Sequence, residues 1–312
     1  MTTTTSSLPW LLAELEAVSV ERISPSYVRV VFSSPALADF GVDGPRYDQR
    51  IKLIFPARDA EPVDLAAVDE TWMETWYARP EGERGYMRTY TIRDVLGEGA
   101  ETCFVVDVVV HQDGLAGPGG SWGLAAKPGD KVVVMAPRRG VPFGGIEFDQ
   151  PAGTHLLLVG DETALPAIAS ILEDLAPDVQ GVVFLEVPDA GDLADLRAPT
   201  GVEICWVPRG HTDPGTRLIP AVRSHFGLEP GEWVDPADVD PDLWETPTWS
   251  SSGDALDGGE RPDGPLADLY AWIAGESRMV TTLRRALVNE LEVDRTRVAF
   301  MGYWRKGVAM RS

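Results

Sequence analysis

Two hydrophobic periods divide this chain. In the first half apolar and polar positions alternate with a period of two, so LEAVSVERIS, YVRVVFS, IKLIF (51–55), YTIR (90–93), CFVVDVVVH (103–111) and KVVVMAP (131–137) read as strands. Ser24-Pro25-Ser26 and Pro128-Gly129-Asp130 supply turns, since proline presets φ and glycine tolerates positive φ. Apart from residues around Asp64 to Trp76, no amphipathic helix interrupts the series, and six such strands predict an antiparallel barrel. After about Gln150 the pattern changes. HLLLVGD (155–161) is a short buried-type strand, followed by Leu165, Ile168, Leu172 and Leu175 at helical spacing, with Thr163 placed as an N-cap. Strand patterns recur at 182–187, 204–207, 270–275 and 298–303, with helical patterns near 217–226 and 278–291. That alternation predicts a parallel sheet covered by helices on both faces.

The change of period falls in FDQPAGT, which gives an N-terminal barrel domain over residues 1–150 and a C-terminal α/β domain over 151–312. Residues 229–268 fit neither pattern. They hold twelve carboxylates against one arginine, with frequent Pro, Gly and Ser. Their composition reads as a solvated, partly disordered insertion, although Trp233, Trp244 and Trp249 are candidates for docking back onto the body.

Charge narrows the partners. A net charge of −22 over 312 residues argues against nucleic acid or an anionic membrane surface. No apolar run approaches the ~20 residues of a membrane helix, and MTTTTSSLPW lacks the basic and apolar regions of a secretory signal, so a cytoplasmic location is expected. The two cysteines, Cys103 and Cys205, are too far apart for a CxxC pair, and the four histidines lack metal-ligand spacing. No metal site is expected.

Two segments carry chemistry. In RTYTIR (88–93) the side chains of Arg88 and Tyr90 share one strand face, where they offer a phosphate clamp and an aromatic surface, while Thr91 adds a hydroxyl and a backbone N–H. The alternative is a barrel strand with surface arginines. In DVVVHQDGLAGPGGSWGLAAKPGD (107–130) a strand ends at His111 and a glycine-rich loop leads into a helical segment at Ser121. Exposed N–H groups at such a turn suit a diphosphate.

Taken with GDETALPAI, AWIAGES, LRRAL and GYWRKG, these blocks resemble the siderophore-interacting protein family, in order from about residue 15 to 309. The resemblance implies a ferredoxin-reductase-like fold with an N-terminal FAD barrel and a C-terminal NAD(P)H domain. It places Arg88 on the FAD diphosphate, Tyr90 against the isoalloxazine and Thr91 at the flavin edge. It also places Val108, Val109, Val110 and His111 along the ribityl and adenosine portion, Gly120, Ser121 and Trp122 at the diphosphate, and Thr163 and Trp304 at the flavin. For the nicotinamide donor it implies Asp161, Glu162, Thr163, Gly275 and Glu276. Arg209, which ends ICWVPR, occupies the position that reads a 2′-phosphate, so NADPH is expected over NADH. Where plant-type ferredoxin reductases have Gly-x-Gly-x-x-Pro, this chain has Asp161-Glu-Thr-Ala-Leu-Pro166, which leaves a reduced ferredoxin open as an alternative donor.

The implied activity is FAD-dependent reduction of ferric siderophores, with electrons passing from NAD(P)H through flavin to chelated Fe(III). No catalytic acid or base is required, since the flavin carries the redox chemistry. Lys52 and Lys306, with Arg305 as a further candidate, are implied as contacts for the anionic arms of the chelate. Two alternatives stand beside this: a general flavin or ferredoxin-type reductase with another acceptor, and a non-catalytic binder of ferric siderophores.

Overall fold

The computed structural model describes residues 8, 10–57, 65, 68–110, 117–239, 244–247, 264 and 266–308. The chain divides into two compact units, 1–146 and 147–311. Unit 1 contains β1 (Trp10–Ser24), β2 (Tyr27–Ser33), β3 (Arg50–Phe55), α1 (Trp72–Ala78), α2 (Glu81–Arg84), β4 (Tyr86–Thr91), β5 (Asp94–Leu96), β6 (Cys103–Val109), α3 (Pro118–Ala125) and β7 (Lys131–Pro137). Unit 2 contains β8 (His155–Gly160), α4 (Leu165–Asp174), β9 (Gln180–Val187), β10 (Gly201–Pro208), α5 (Leu218–His225), β11 (Trp244–Glu245), β12 (Leu269–Glu276), α6 (Ser277–Arg285) and β13 (Val298–Trp304).

In unit 1 the period of two becomes burial. Leu11, Ala13, Leu15 and Ala17 of β1 point inward with Val30 and Phe32 of β2, Phe104, Val106 and Val108 of β6, and Val132 and Val134 of β7. Beyond Ala17 the register with β2 shifts and β1 runs out over solvent, where nothing requires an apolar inner face. The antiparallel sheet has the order β4-β3-β7-β1-β2-β6-β5 and seven strands, one more than the six expected. The additional strand is β5, which pairs with β6 and forms one edge of the sheet. The edge strands β4 and β5 are separated in sequence only by Ile92 and Arg93, so the chain itself joins the two edges of the sheet. A second apolar cluster lies on the outer face, where Trp72 and Trp76 of α1 cover Ile54, Met87, Val133 and Met135.

In unit 2, β8, β9, β10, β12 and β13 are parallel in the order β10-β9-β8-β12-β13, with β11 added antiparallel at the β13 edge. Strands buried on both faces have no polar side to alternate with, and β12 is accordingly buried along its whole length. Numbered within the parallel set the order is 3-2-1-4-5, and the connection reverses direction between β8 and β12, which defines a switch point at their carboxyl ends.

The acidic segment contributes to this unit. Val234 and Val239 are buried, and Trp244 stacks on Tyr303 with ring centroids 5.9 Å apart. Glu245 accepts from Arg284 Nε at 2.6 Å and from Arg295 Nη2 at 2.9 Å. Trp233 and Trp244 therefore dock as the sequence allowed, while Trp249 lies outside the described residues.

Glu245 is the charged anchor of β11. Its replacement by Ala leaves two guanidinium groups without their acceptor, one of them largely buried, at a cost of about 2 kcal/mol. Hydrogen exchange read by mass spectrometry is expected to show Glu245→Ala losing protection at 244–247 and 298–301, with unit 1 unchanged. Equal protection at 244–247 would show that this pairing does not hold the strand.

Candidate functional site

Each unit holds a candidate site. In unit 1 it is built where α3 meets the barrel. Tyr90 and Ile92 belong to the inner core, whereas Met87 belongs to the outer cluster, so Arg88 and Tyr90 share the inner face as the alternation predicts. Opposite them on β3 stand Leu53 and Ile51. Helix α3 comes unusually close because two of its residues lack a Cβ. One added at Gly119 would lie 2.1 Å from Tyr90 Oη, and one at Gly123 would lie 2.8 Å from Val108 Cγ1. Spaced four apart, these glycines form one helix face. Trp122 anchors the helix, stacked on Phe32 with centroids 5.8 Å apart and tilted against Phe55 at 5.3 Å. The signal for this packing was present in GPGGSWG, but as i, i+4 glycines rather than as a loop.

The N-terminus of α3 has no side-chain cap and no acidic residue in its first turn. Pro118 has no N–H, and the first-turn N–H groups of Gly119 and Gly120 have no carbonyl within the helix to bond. A backbone donor pair at a helix N-terminus, with the guanidinium of Arg88 available from the barrel, fits a diphosphate. Arg88 donates to the Met87 carbonyl at 2.8 Å and forms no ion pair among the described residues. Burial pushes the Tyr90 phenol well above its ordinary range, so it stays neutral.

The other expected cofactor residues are placed as follows. Thr91 is nearly buried, and Val108 and Val110 are packed into the core, with the Val110 N–H already given to the Ser26 carbonyl. Val109 is partly exposed, Ser121 is exposed, and His111 lies outside the described residues. Lys52 pairs across from Thr89 and donates to its Oγ1 at 2.7 Å. It therefore stands on the sheet face opposite Arg88 and Tyr90. Burial and the neighbouring Arg50 lower its pKa, and it has no carboxylate partner among the described residues.

In unit 2 the switch point is organised by Asp161. Its Oδ1 accepts from the N–H and hydroxyl of Thr163 at 2.8 and 2.6 Å, and its Oδ2 accepts from the Glu276 N–H at 2.7 Å and Trp304 Nε1 at 2.8 Å. Burial, reinforced by Glu162, pushes Asp161 up to about 6. Its four donors suit the ionised form, which is the form at neutral pH. Gly275, at φ +140°, lies directly beneath it, and a Cβ there would come within 2.6 Å of Asp161 Cγ. Glu276 caps α6, its Oε2 accepting from the Arg278 and Met279 N–H groups.

The expected donor residues are thus gathered at one place, but they are engaged with one another. Trp304 donates to Asp161 within this unit. Arg209 requires correction. Its guanidinium was expected to be free for a 2′-phosphate, yet it is buried, with Nη1 and Nη2 on the two oxygens of Glu162 at 2.5 and 2.6 Å. A buried carboxylate needs such a partner, and Glu162 is fully buried.

Beside this cluster a cleft of about 410 Å³ is lined by Asp213, Trp233, Pro236, Glu276, Arg278 and Lys306, among others. Lys306 Nζ pairs with Asp213 Oδ1, and Arg278 lies over the Trp233 ring at 4.9 Å. Trp233 and Pro236 come from the acidic segment, whose composition gave no hint of a wall.

A seven-stranded barrel followed by a 3-2-1-4-5 parallel sheet is the architecture of ferredoxin-reductase-type flavoproteins. The ferredoxin reductase of carbazole 1,9a-dioxygenase shares this fold at a TM-score of 0.55 and 14% identity, covering 95% of this chain and 68% of that one. Residues 16–141 match the siderophore-interacting FAD-binding domain and residues 153–307 match the siderophore-interacting protein domain. The chain belongs to the siderophore-interacting protein family. It is 32% identical to an uncharacterised protein of Mycobacterium tuberculosis over 95% of this chain and 91% of the relative. Ferric vibriobactin reductase ViuB of Vibrio cholerae is 29% identical, covering 94% of this chain and 89% of the relative. The NADPH-dependent ferric-chelate reductase of Escherichia coli is 28% identical, covering 93% and 92%. A siderophore utilization protein from T. fusca superposes at a TM-score of 0.67 and 29% identity, covering 97% of this chain and 95% of that one. Among the described residues no helix is long and apolar enough to cross a membrane.

The buried acids give unit 2 a measurable pH signature. Burial holds Glu186 up at about 7 against an ordinary value of 4.5, so the folded state binds its proton more tightly than the unfolded chain does. The contribution of Glu186 to stability is then fully present below about pH 4.5, falls as pH rises towards 7, and levels off above it. The difference between wild type and Glu186→Gln is expected to grow by about 2 kcal/mol from pH 5 to pH 8 in urea melts, in favour of the variant. A constant difference across that range would show that Glu186 titrates normally.

Proposed function

We propose that this protein is an FAD-dependent reductase that takes electrons from a reduced nicotinamide donor and delivers them to Fe(III) held in a siderophore. The observation that carries the reading is the uncapped N-terminus of α3 beside Tyr90, within residues that match an FAD-binding domain of siderophore-interacting proteins. Arg88 and the N–H groups of Gly119 and Gly120 would hold the FAD diphosphate, and Tyr90 would lie against the ring system. FAD, when bound, would supply the redox chemistry, a two-electron exchange with the donor and a one-electron exchange with Fe(III). The names of the Vibrio cholerae and Escherichia coli relatives support a ferric chelate as the acceptor. Reduction releases the metal because the oxygen ligands of a siderophore favour hard Fe(III) over the softer, less charged Fe(II).

The chain's own residues set the electrostatics of the encounter. With a net charge of −22, attraction of an anionic chelate must be local, and salt screens fields beyond ~8–10 Å. Lys52, which lacks a carboxylate partner among the described residues, is the proposed cation of unit 1 for this purpose. Lys306 is the corresponding cation of unit 2, and it must leave Asp213 before it can hold an anionic arm.

An anaerobic visible spectrum tests the whole reading. Purified protein is expected to be yellow, to bleach with NADH or NADPH, and to recolour on addition of a ferric siderophore while an Fe(II)-specific chelator reports the product. Reduced ferredoxin serves as a parallel donor. Protein that takes up no flavin on reconstitution, or reduced flavin that yields no Fe(II), would overturn the assignment.

Removal of the diphosphate clamp is expected to weaken flavin retention without unfolding the barrel. Arg88→Ala loses a charge-assisted hydrogen bond of roughly 1.5–3 kcal/mol, which raises the FAD dissociation constant by about 10- to 100-fold. Full occupancy after extended dialysis would remove Arg88 from the site.

A further inference from the structure

The carboxyl ends of β8, β9 and β10 carry an excess of buried negative charge. Asp161, Glu162 and Glu186 are fully buried, and Arg209 is the one buried cation among them in the described residues. Alternation with Val159 and Phe184, both in the core beneath α5 and α6, turns Asp161 and Glu186 to the same face of the sheet. Arg209 is committed to Glu162 through both terminal nitrogens, while its Nη1 stands 3.6 Å from Glu186 Oε1. Glu186 Oε1 accepts the Gly215 N–H at 2.8 Å, and Oε2 is buried without a hydrogen-bond partner.

The position of Glu186 matters more than the count of charges. In an open sheet of order 3-2-1-4-5 a dinucleotide lies across the carboxyl ends of the strands. The second strand delivers the group that meets the adenosine ribose, at about 20 residues past the first turn. A carboxylate there suits a 2′-hydroxyl, and an arginine there suits a 2′-phosphate. Glu186 is the penultimate residue of β9, the second strand of this sheet, and pairs with Val207 of β10. The connection that follows β9 continues the sign: Asp189, Asp192 and Asp195 precede the first cation, Arg197. Arg217, in the loop after β10, donates to the Pro208 carbonyl at 2.9 Å.

We propose that unit 2 selects a nicotinamide dinucleotide without a 2′-phosphate, NADH rather than NADPH, with Glu186 and Glu162 as the specificity-determining residues. Glu186 places negative charge where a 2′-phosphate would have to sit. Glu162 withdraws the arginine that would otherwise receive that phosphate. The inference rests on the nicotinamide donor proposed above and separates this chain from its Escherichia coli relative, which is named for NADPH.

The test uses non-redox fragments, so that binding is read apart from turnover. ADP-ribose and 2′-phospho-ADP-ribose are titrated calorimetrically into the full chain at pH 8, with stopped-flow reduction by NADH and NADPH alongside. ADP-ribose is expected to bind at least tenfold more tightly than its 2′-phosphorylated form. Glu162→Gln, which loosens Arg209, is expected to narrow that ratio at least fivefold, and Glu186→Gln at least threefold. Circular dichroism checks each variant, and a well-folded member of the pair decides for both. Equal affinity in wild type, tighter binding of the phosphorylated fragment, or an unchanged ratio in the folded variants overturns the specificity. If wild type binds neither fragment at millimolar concentration and neither nucleotide reduces the flavin, the nicotinamide donor itself is overturned.

Discussion

A buried carboxylate must be surrounded by donors, and in unit 2 that requirement falls on Asp161. It sits at the end of β8, where the parallel sheet changes direction, and draws its four hydrogen bonds from the Thr163 turn, the end of β12 and the end of β13. Three strand ends are thereby fixed relative to one carboxyl group. The consequences extend outward by sterics and capping. Position 275 has no room for a side chain, because the carboxylate occupies the space where a Cβ would be. Glu276, held by its own N–H, turns its carboxylate to the first turn of α6 and to the Lys306 N–H. A sheet end that in dinucleotide folds leaves its N–H groups open to a phosphate has here satisfied them internally. The Thr163 N–H goes to the Asp161 side chain, and those of Ala164 and Leu165 go to the Asp161 carbonyl.

Unit 1 follows the opposite principle. Its candidate site is built on a helix end without a side-chain cap and on positions without side chains. Helix α3 has no capping side chain, and glycine at 119 and 123 lets it approach Tyr90 and Val108 more closely than any other residue would permit. Glycines weaken a helix by about 1 kcal/mol each relative to Ala. Trp122, wedged between Phe32 and Phe55, provides the apolar contact that offsets the loss. A helix that is intrinsically poor and externally anchored keeps its first-turn N–H groups fixed while the glycines keep their approach clear.

Local periodicity made much of this legible. The inner face of Arg88 and Tyr90, the barrel followed by a parallel sheet, and the change of period near residue 150 all follow from spacing within a few residues. Properties that depend on distant partners were not legible. Arg209 reads as a loop cation because Glu162 is 47 positions away, and only the β8–β9–β10 adjacency brings them together. Lys52 enters as a chelate contact through the resemblance alone, and only the β3–β4 register places it opposite Thr89, on the face away from Arg88 and Tyr90. β5 is three residues long, too short to show a period, yet it forms one edge of the sheet. The acidic segment misleads for a related reason. Composition averages over forty positions, whereas docking depends on a few of them: Trp233, Val234, Val239, Trp244 and Glu245.

That last point changes how the net charge should be read. Twelve of the carboxylates lie in residues 229–268, and the described ones among them are not uniformly solvated. Glu245 is neutralised by Arg284 and Arg295, and Asp238 faces Arg285 at 3.6 Å. Meanwhile the carboxylates at the ends of β8 and β9 belong to the body and have one buried guanidinium to share. Electrostatic selectivity depends on charges within about a Debye length that solvent does not screen. The formal charge of −22 therefore says less about what unit 2 admits than three buried acids and the one arginine beside them, held in place by a sheet that cannot move one strand end without the others.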